Sequence, residues 1–558
     1  MSSINKAAGR MMTAVINYYH PEYLPSLVYL LERNEYRIAR YLKAFWTAPS
    51  VAEYVGRRPT PNTRNKALVF FVVLGGLLQA LAGVMLLIFG GWNDVVGSIP
   101  IGLAIVISYP VVWAHMLAMA YAGHKLLWML LNPKTAGKIL VCRILERQVV
   151  QLRKKHKMTV IAVVGSVGKT STKLAIAHTL EASRRVIYQS GNYNDRLTVP
   201  LVLFGRKLPG LFNVPAWLRI FSANKKAIRG ERYYDLAVLE LGTDHPGDIA
   251  RFAYLKPDIT VVSAVTPEHM EYFETLDAVA KEELAVYAYS KQVLVNADDT
   301  PEHYLKGKKV LRYGLGKKGN DFSATDYKSN GIKPAKVTIH LQDGVHFEAQ
   351  AEIIGEQGVK IALAAAAAAQ LAGLEKAEIE KGLREVKPFA GRMQILPGIK
   401  DSTIIDDSYN ASPATVKAAL DVLYATTAPQ RIAILGTMNE LGGYSERAHE
   451  EVGKYCRPDK LDLVVTIGKD ASRFLATAAK AMGCSVEICD SPYEAGEIVK
   501  SKLKKGTVVL VEGSQNGVFA EESIKTLLAD AGDAKKLVRQ SDYWTHVKRK
   551  QFPQTVKR

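Results

Sequence analysis

Residues 159–173 read T-V-I-A-V-V-G-S-V-G-K-T-S-T-K, and no other stretch restricts the possible folds as tightly. Thr159 to Val164 is a β-branched apolar run, the pattern of a strand buried on both faces. Gly165, Ser166, Val167 and Gly168 follow, then Lys169, Thr170 and Ser171, and a helix-forming K-L-A-I-A-H-T-L-E. Strand, glycine turn and helix start make a phosphate cradle. Glycines let backbone N–H groups approach the anion, and the helix dipole favours negative charge there. In such a loop Lys169 reaches the β- and γ-phosphates and the Thr170 hydroxyl sits on Mg²⁺. The longer G-x-x-x-x-G-K-[ST] spacing is not met, because Val163 stands where its first glycine belongs.

Charge divides the chain unevenly. Its net charge is +19, of which residues 1–158 carry +13, with 19 Lys/Arg against 6 Asp/Glu. Within that third lie two uncharged stretches, Ala67 to Trp92 and Val95 to Gly123, the second with a kink expected at Pro110. Each exceeds the roughly 20 residues that cross a bilayer, and Asp94 is the single formal charge between Lys66 and Lys125. They read as a transmembrane helical hairpin over 67–123. Arg57, Arg58, Arg64 and Lys66 precede it, and Lys125, Lys134, Lys138, Arg143 and Arg147 follow it. The positive-inside rule then puts both termini in the cytoplasm, as a multi-pass protein of the inner (cytoplasmic) membrane. Basic charge beside apolar segments points to membrane, and no basic stripe interleaved with aromatics points to nucleic acid.

Residues 1–66 hold an amphipathic segment, E-Y-L-P-S-L-V-Y-L-L-E-R-N-E-Y-R-I-A-R-Y-L-K-A-F-W, which suits either a bilayer surface or a packed helix. Residues 124–158 form a basic linker helix. From 159 to 391 strands and helices alternate, with strands expected at 235–240, 259–265 and 292–296, and a small antiparallel excursion over 307–353. From 392 to 558 they alternate again. The fold class is therefore α/β: a P-loop parallel-sheet ATPase domain and a C-terminal Rossmann-like domain, preceded by the α-helical hairpin. The four cysteines have no C-x-x-C spacing and read as reduced thiols.

Further stretches follow in a fixed order. Gly191-Asn192-Tyr-Asn194-Asp195 precedes Val199-Pro200; Glu240-Leu-Gly242 ends a strand; Thr266-Pro-Glu-His269 follows another. Then come Gly391-Arg392, Asp406-Asp407-Ser408-Tyr409-Asn410-Ala411-Ser412-Pro413, Gly436-Thr-Met438-Asn-Glu440-Leu441-Gly442 with His449, and Gly513-Ser514. Together with the phosphate loop this series resembles the Mur ligases. Its D-D-x-Y-N-A-x-P string is typical of the members that add D-alanyl-D-alanine to a muramoyl-tripeptide.

The resemblance implies an ATP- and Mg²⁺-dependent amide ligase of peptidoglycan precursor synthesis. A carboxylate attacks the γ-phosphate to give an acyl phosphate, and an amine then displaces phosphate. It implies catalytic roles for Lys169, Glu240, His269 and Arg392. Gly165, Ser166, Val167, Gly168, Lys169, Thr170, Ser171, Asn192, Arg392, Asp406 and Asn410 would bind ATP. Thr170, Glu240 and His269 would hold Mg²⁺, with Arg392, Asp406 and Asn410 approaching from the C-terminal domain as it closes. Its partners would be the muramoyl-tripeptide precursor, D-alanyl-D-alanine, the cytoplasmic membrane and other membrane-bound peptidoglycan-synthesis enzymes.

Four departures qualify that reading. Family members often carry a carbamylated lysine fourteen residues after the metal histidine; here that position is Glu283, whose native carboxylate would join the metal set, with Lys281 as the alternative. The adenine-contacting H-N-x-x-N reads Gln357-Gly358-Val359-Lys360-Ile361, and the late K-G-S-R reads Glu512-Gly513-Ser514-Gln515. The expected UDP-binding domain is replaced by the hairpin. Residues 205–232 look like an insertion suited either to a bilayer surface or to internal packing. Two rivals follow: a Mur-like ligase or amidating enzyme acting on a lipid-linked muropeptide with another amino-component, and a nucleotide-binding membrane scaffold for cell-wall enzymes.

Overall fold

The computed structural model describes residues 20–553 except 35, 48–54, 90–94, 190, 192, 232–233, 350 and 353. The chain separates into two compact units, 1–139 and 140–558.

In the first unit the helices Tyr23–Arg33 and Ile38–Thr47 precede two long apolar helices, Thr63–Phe89 and Val95–Leu131. The amphipathic segment is packed. Tyr23, Leu27, Leu31 and Tyr41 are buried with Val72, Ala114 and Leu117, and the Tyr23 hydroxyl donates to the Pro110 carbonyl at 2.8 Å. Pro110 itself sits inside the helix without ending it. The stretches Thr63–Ile88 and Pro100–Leu127 are long and apolar enough to cross a membrane, with mean hydropathy 2.4 and 1.8. Their apolar side chains face outward: Phe70, Leu77, Leu81 and Ile107 are exposed. A helix pair inside a water-soluble core would bury those groups.

The second unit holds two sheets. The first has β1 (Thr159–Val164), β2 (Val186–Tyr188), β3 (Leu236–Glu240), β4 (Ile259–Val262), β5 (Gln292–Asn296), β6 (Leu311–Leu315), β7 (Phe322–Thr325), β8 (Thr338–His340) and β9 (His346–Glu348). Their order is β2-β3-β1-β4-β5-β6-β7-β8-β9. Pairing is parallel from β2 through β7 and antiparallel only at β7–β8–β9. The expected antiparallel excursion is thus narrower than 307–353 and extends the same sheet, because β6 still enters by a crossover from β5. Core packs on both faces: Ile161, Val163 and Val238 meet the helix Gly355–Leu371 on one, and Val160, Ala162 and Leu239 lie on the other. Its alanines, Ala362 to Ala369, are all buried. Small side chains let that helix sit close to the sheet while keeping high helix propensity.

The second sheet has β10 (Gln394–Pro397), β11 (Thr403–Asp407), β12 (Arg431–Gly436), β13 (Leu463–Ile467), β14 (Val486–Cys489) and β15 (Val508–Glu512), in the order β10-β11-β15-β12-β13-β14. Only β10 runs antiparallel. All four cysteines are buried.

Candidate active site

The loop after β1 demands glycine twice. Gly165 has φ +123° and Gly168 φ +81°, values an L side chain rarely adopts. A Cβ on Gly165 would also lie 2.8 Å from the Ala264 backbone nitrogen. The loop is knitted to the end of β4. Ser166 N–H donates to the Ala264 carbonyl at 3.0 Å, and Thr266 N–H donates to Ser166 Oγ at 2.7 Å. Ser263 Oγ donates to the Val164 and Val167 carbonyls. The helix Lys169–Glu181 starts directly at Gly168, so the loop amides and the half-buried Thr170 gather at a helix N-terminus.

Carboxylates surround this helix start. Lys169 Nζ meets Glu268 at 3.0 Å. Burial presses the Lys169 pKa down, but Glu268, then Glu283 and Glu240, outweigh it and leave the value raised. One turn further along, the buried Lys173 lies 3.2 Å from buried Glu240, at the end of β3. Burial lowers the Lys173 pKa, Glu240 opposes that, and nearby Arg392 adds to it. Glu240 is further fixed by Gln189, which bonds both its backbone N–H and its carbonyl, and by Asn194 at 3.3 Å. Asn192 lies outside the described residues.

Glu283 points into the loop and Lys281 does not. Lys281 is exposed, whereas Glu283 is buried and accepts from Gly165 N–H at 2.7 Å. Its other oxygen has no partner. Burial pushes its carboxyl up to about 7, against the pull of Lys169. Next to it, Glu282 accepts from Gly247 N–H and Ile249 N–H, both at 2.6 Å, and so ties down the loop after β3.

His269 follows β4 in a left-handed backbone conformation, φ +48°. Its Nδ1 lies 2.8 Å from Glu440, on the loop after β12, and its Nε2 lies 3.6 Å from Glu268. Burial lowers its pKa, but the Glu440 hydrogen bond and Glu268 prevail and leave it raised. This contact joins the two sheets, and Glu271 N–H reinforces it by donating to the Glu440 carbonyl. Nearby, His449 is buried; Met438 N–H donates to its Nε2 at 2.9 Å and its Nδ1 faces the Ser445 carbonyl at 2.8 Å. Burial keeps its pKa low, so it acts as a neutral strut for the loop that carries Glu440.

From the second sheet, Arg392 stacks over the Tyr409 ring at 4.3 Å, and its buried Nε has no partner. Asp406 and Asp407 diverge, as adjacent strand residues must. Asp406 accepts from Ser408 N–H and Oγ, at 3.1 and 2.5 Å, and its charged neighbours are Glu521 and Arg539. Asp407, on the opposite face, accepts from Met393 N–H at 3.0 Å and has Arg392 as its charged neighbour. Burial raises both carboxyls to about 6. Asp407 pairs in register with Glu512 on β15. Glu512 is buried with the Thr415 side chain beside its carboxylate, and burial, then Asp407, drives its pKa far up. Asn410 is half-buried beside Tyr409. Arg539 holds this loop, donating to the Ser408 and Tyr409 carbonyls at 2.6 and 2.9 Å while pairing with Glu521 at 2.6 Å.

The sequence reading therefore missed Lys173, Glu268 and Arg539, and noted Asp407 and Glu440 within motifs without giving them a role. Lys173 was detectable, since it lies one helical turn from Lys169. The adenine-motif position is occupied by an ion-paired group: Lys360 is buried against Asp299 at 3.0 Å and Glu356 at 2.8 Å. Among the described residues, no three of His, Cys, Asp and Glu gather closely enough to hold a metal ion by themselves.

Residues 218–369 match the Mur ligase middle domain and residues 391–515 match the Mur ligase, glutamate ligase domain. The chain belongs to the Mur ligase family. It is 28% identical over 390 residues to the UDP-N-acetylmuramoyl-tripeptide–D-alanyl-D-alanine ligase of Escherichia coli (strain K12), covering 67% of this chain and 78% of that one. The same fold occurs in MurF from Acinetobacter baumannii (TM-score 0.57, 22% identity, 68% of this chain and 79% of that one). It also occurs in the MurF ligase from Thermotoga maritima in complex with ADP (TM-score 0.55, 22% identity, 69% and 83%). Residues 1–217, which include the phosphate loop, and the residues after 515 stand outside the family-domain matches, yet Arg539 reaches back to the Ser408–Tyr409 loop.

Proposed function

We propose that this Mur ligase joins D-alanyl-D-alanine to the terminal carboxylate of a muramoyl-tripeptide, using ATP, by way of an acyl phosphate. Membership of the family makes it an ATP-dependent ligase forming a carbon–nitrogen bond, and the relative in Escherichia coli supports the substrate pair. The observation that carries the reading is the convergence of Lys169, Glu240, Glu283 and His269 around one helix N-terminus, with Glu440 and Arg392 brought to it from the second sheet.

In this reading the loop amides of Gly165 to Ser171 receive the nucleotide phosphates, and Lys169 leaves Glu268 to neutralise charge that develops on the transferred phosphoryl group. Such transfer needs charge neutralisation and in-line positioning more than covalent help. Lys173 and Gln189 hold Glu240 in place. Arg392, Asp406 and Asn410 belong to the half that closes over the nucleotide, residues 392–558 acting as one domain and 159–391 as the other. Thr170, Glu240, Glu283 and His269 would hold Mg²⁺. The unpartnered Glu283 oxygen and the Thr170 hydroxyl are hard donors that suit it, the remaining positions falling to phosphate and water. Bound Mg²⁺ supplies further charge neutralisation. The helices Thr63–Ile88 and Pro100–Leu127 would cross the cytoplasmic membrane, their basic flanks keeping the ligase domains in the cytoplasm.

Phosphate release from ATP by the detergent-solubilised full chain tests this. Release should require both UDP-linked tripeptide and D-alanyl-D-alanine, and Lys169→Ala should reduce it by about 10²–10³-fold. Release with a lipid-linked muropeptide alone would favour the second reading, which the hairpin in place of a UDP-binding domain and the carboxylate at Glu512 support. Nucleotide binding without release on either acceptor would leave a scaffold.

A further inference from the structure

Within the insertion, residues Val214–Arg229 form a capped helix with two unlike faces. Asn213 accepts from Ala216 N–H at 3.1 Å and Pro215 occupies the first turn, so the helix Val214–Arg229 begins sharply. Its inner face is locked. Trp217 is buried with Cys142, Leu145 and Leu201, and its indole N–H donates to the Leu211 carbonyl at 3.1 Å. Asn224 is fully buried and bonds Gln148 at 2.9 Å, while Gln148 bonds the Phe221 carbonyl at 2.9 Å. The linker helix Pro133–Lys155 thus clamps the insertion at two points.

The outer face is apolar where water should be. Leu208, Phe212, Val214 and Leu218 are exposed by 42%, 63%, 59% and 62%. Elsewhere between 140 and 558 the exposed large apolar side chains, Tyr272, Tyr287, Met482, Ile488 and Tyr543 among them, are scattered along the chain. Val214 and Leu218 lie one turn apart on a stripe that continues into Lys225 and Arg229. From Gly205 to Gly230 there are six basic residues and no acidic one. A rigid helix cannot fold these apolar groups away, and uniform positive charge beside them selects an anionic surface.

We infer that residues 205–230 are a bilayer-contacting face. Leu208, Phe212, Val214 and Leu218 enter the headgroup–acyl boundary of an anionic membrane, and Lys225 and Arg229 engage its phosphates. This is independent of which substrates the ligase uses and rests on the proposed function only in placing the chain at a membrane. In chain order the face falls between the phosphate-loop helix and β3 and packs on the linker helix, so lipid contact would add a second attachment of the ligase domains to the membrane besides the linker.

The native cysteines are all buried, so a Leu218→Cys variant of the full chain takes an environment-sensitive fluorophore at one site. In nanodiscs containing phosphatidylglycerol its emission should shift to the blue, and lipid-borne quenchers should remove about half of it or more. The shift should shrink in phosphatidylcholine alone, and an Ile488→Cys label should remain in water throughout. A label at 218 that stays water-exposed in both lipids would overturn the inference. So would a blue shift in detergent that grows with protein concentration, which would assign the face to a second copy of the chain. Phosphate release measured on the same samples decides the ligase reading separately, whatever the label reports.

Discussion

Glu240 meets Lys173 at 3.2 Å and Glu268 meets Lys169 at 3.0 Å. Across the site, buried Glu512 lies beside Asp407 and Thr415, and Asp406 has no partner for one of its two oxygens. Both sets of acids sit at the C-terminal ends of parallel strands, where side chains from several strands converge. The difference lies in what each end must accept. In the proposed reading the phosphate-loop end receives an anion; its carboxylates raise the Lys169 pKa and oppose the lowering that burial imposes on Lys173. The opposite end stores several carboxyls in low dielectric, where burial favours the neutral form, as it does at Glu283 beside the phosphate loop. In that reading one edge is preorganised for phosphate, and the other, on the second domain, keeps protons and an under-satisfied Arg392 in reserve for what approaches from the first.

The comparison breaks most sharply at Lys173. Lys173→Ala leaves Glu240 buried without its cation, and should cost about 3–5 kcal/mol of stability. Urea unfolding measures it; a cost below 1 kcal/mol would mean that water already reaches Glu240. Next in size, Arg539→Ala removes two carbonyl contacts under Ser408 and Tyr409 and one of the two cations beside Glu521. Losing charge-assisted bonds of this kind should cost about 1.5–3 kcal/mol. If Arg539 also positions the Asn410 loop, the Michaelis constant for ATP should rise more than turnover falls, and Arg539→Lys should restore only part of it.

A pH series sharpens the contrast. Asp407 is raised to about 6 and Glu512 further, both by burial. The folded state therefore holds protons that the unfolded chain has released, so these groups lower stability as pH rises from about 4 through 6 and beyond. Glu512→Gln removes one such group and relieves Asp407. Its melting temperature should match wild type near pH 4 and exceed it above pH 6, by the equivalent of about 1–3 kcal/mol. A variant that melts lower at neutral pH would show that the Glu512 charge is compensated. The smallest effect is expected at Lys281, which is exposed. Lys281→Ala should change stability by less than about 0.5 kcal/mol and leave turnover intact; loss of turnover would move the missing carbamylated lysine to that position and away from Glu283.

Much of the fold was legible because its signals are local. A β-branched run ending in glycines, two long uncharged stretches and an alanine-rich helix each declare themselves within a window of twenty residues. Boundaries were less so. The strand expected at 259–265 ends at Val262, since Ser263 to Thr266 turns to clasp the phosphate loop through hydrogen bonds to residues a hundred positions away. The amphipathic N-terminal segment could not be assigned to lipid or protein by periodicity alone, because a packed helix and an interfacial one share the same pattern; Leu117 and Val72 decided it.

The candidate site divides along the same line. Residue order and spacing pointed to the phosphate cradle, and the family resemblance they carry supplied Glu240, His269 and Arg392 as candidates, because the residues of a strand–glycine turn–helix loop are contiguous in the chain. Only the tertiary structure decided that Glu283 and not Lys281 faces that loop, that Asp407 and not Asp406 faces Arg392, and that Glu440 and Arg539 reach the site at all. Those choices depend on the phase of a helix or strand, or on contacts between distant segments. One residue of register exchanges the buried face for the exposed one, and a string of letters does not carry that phase until packing fixes it.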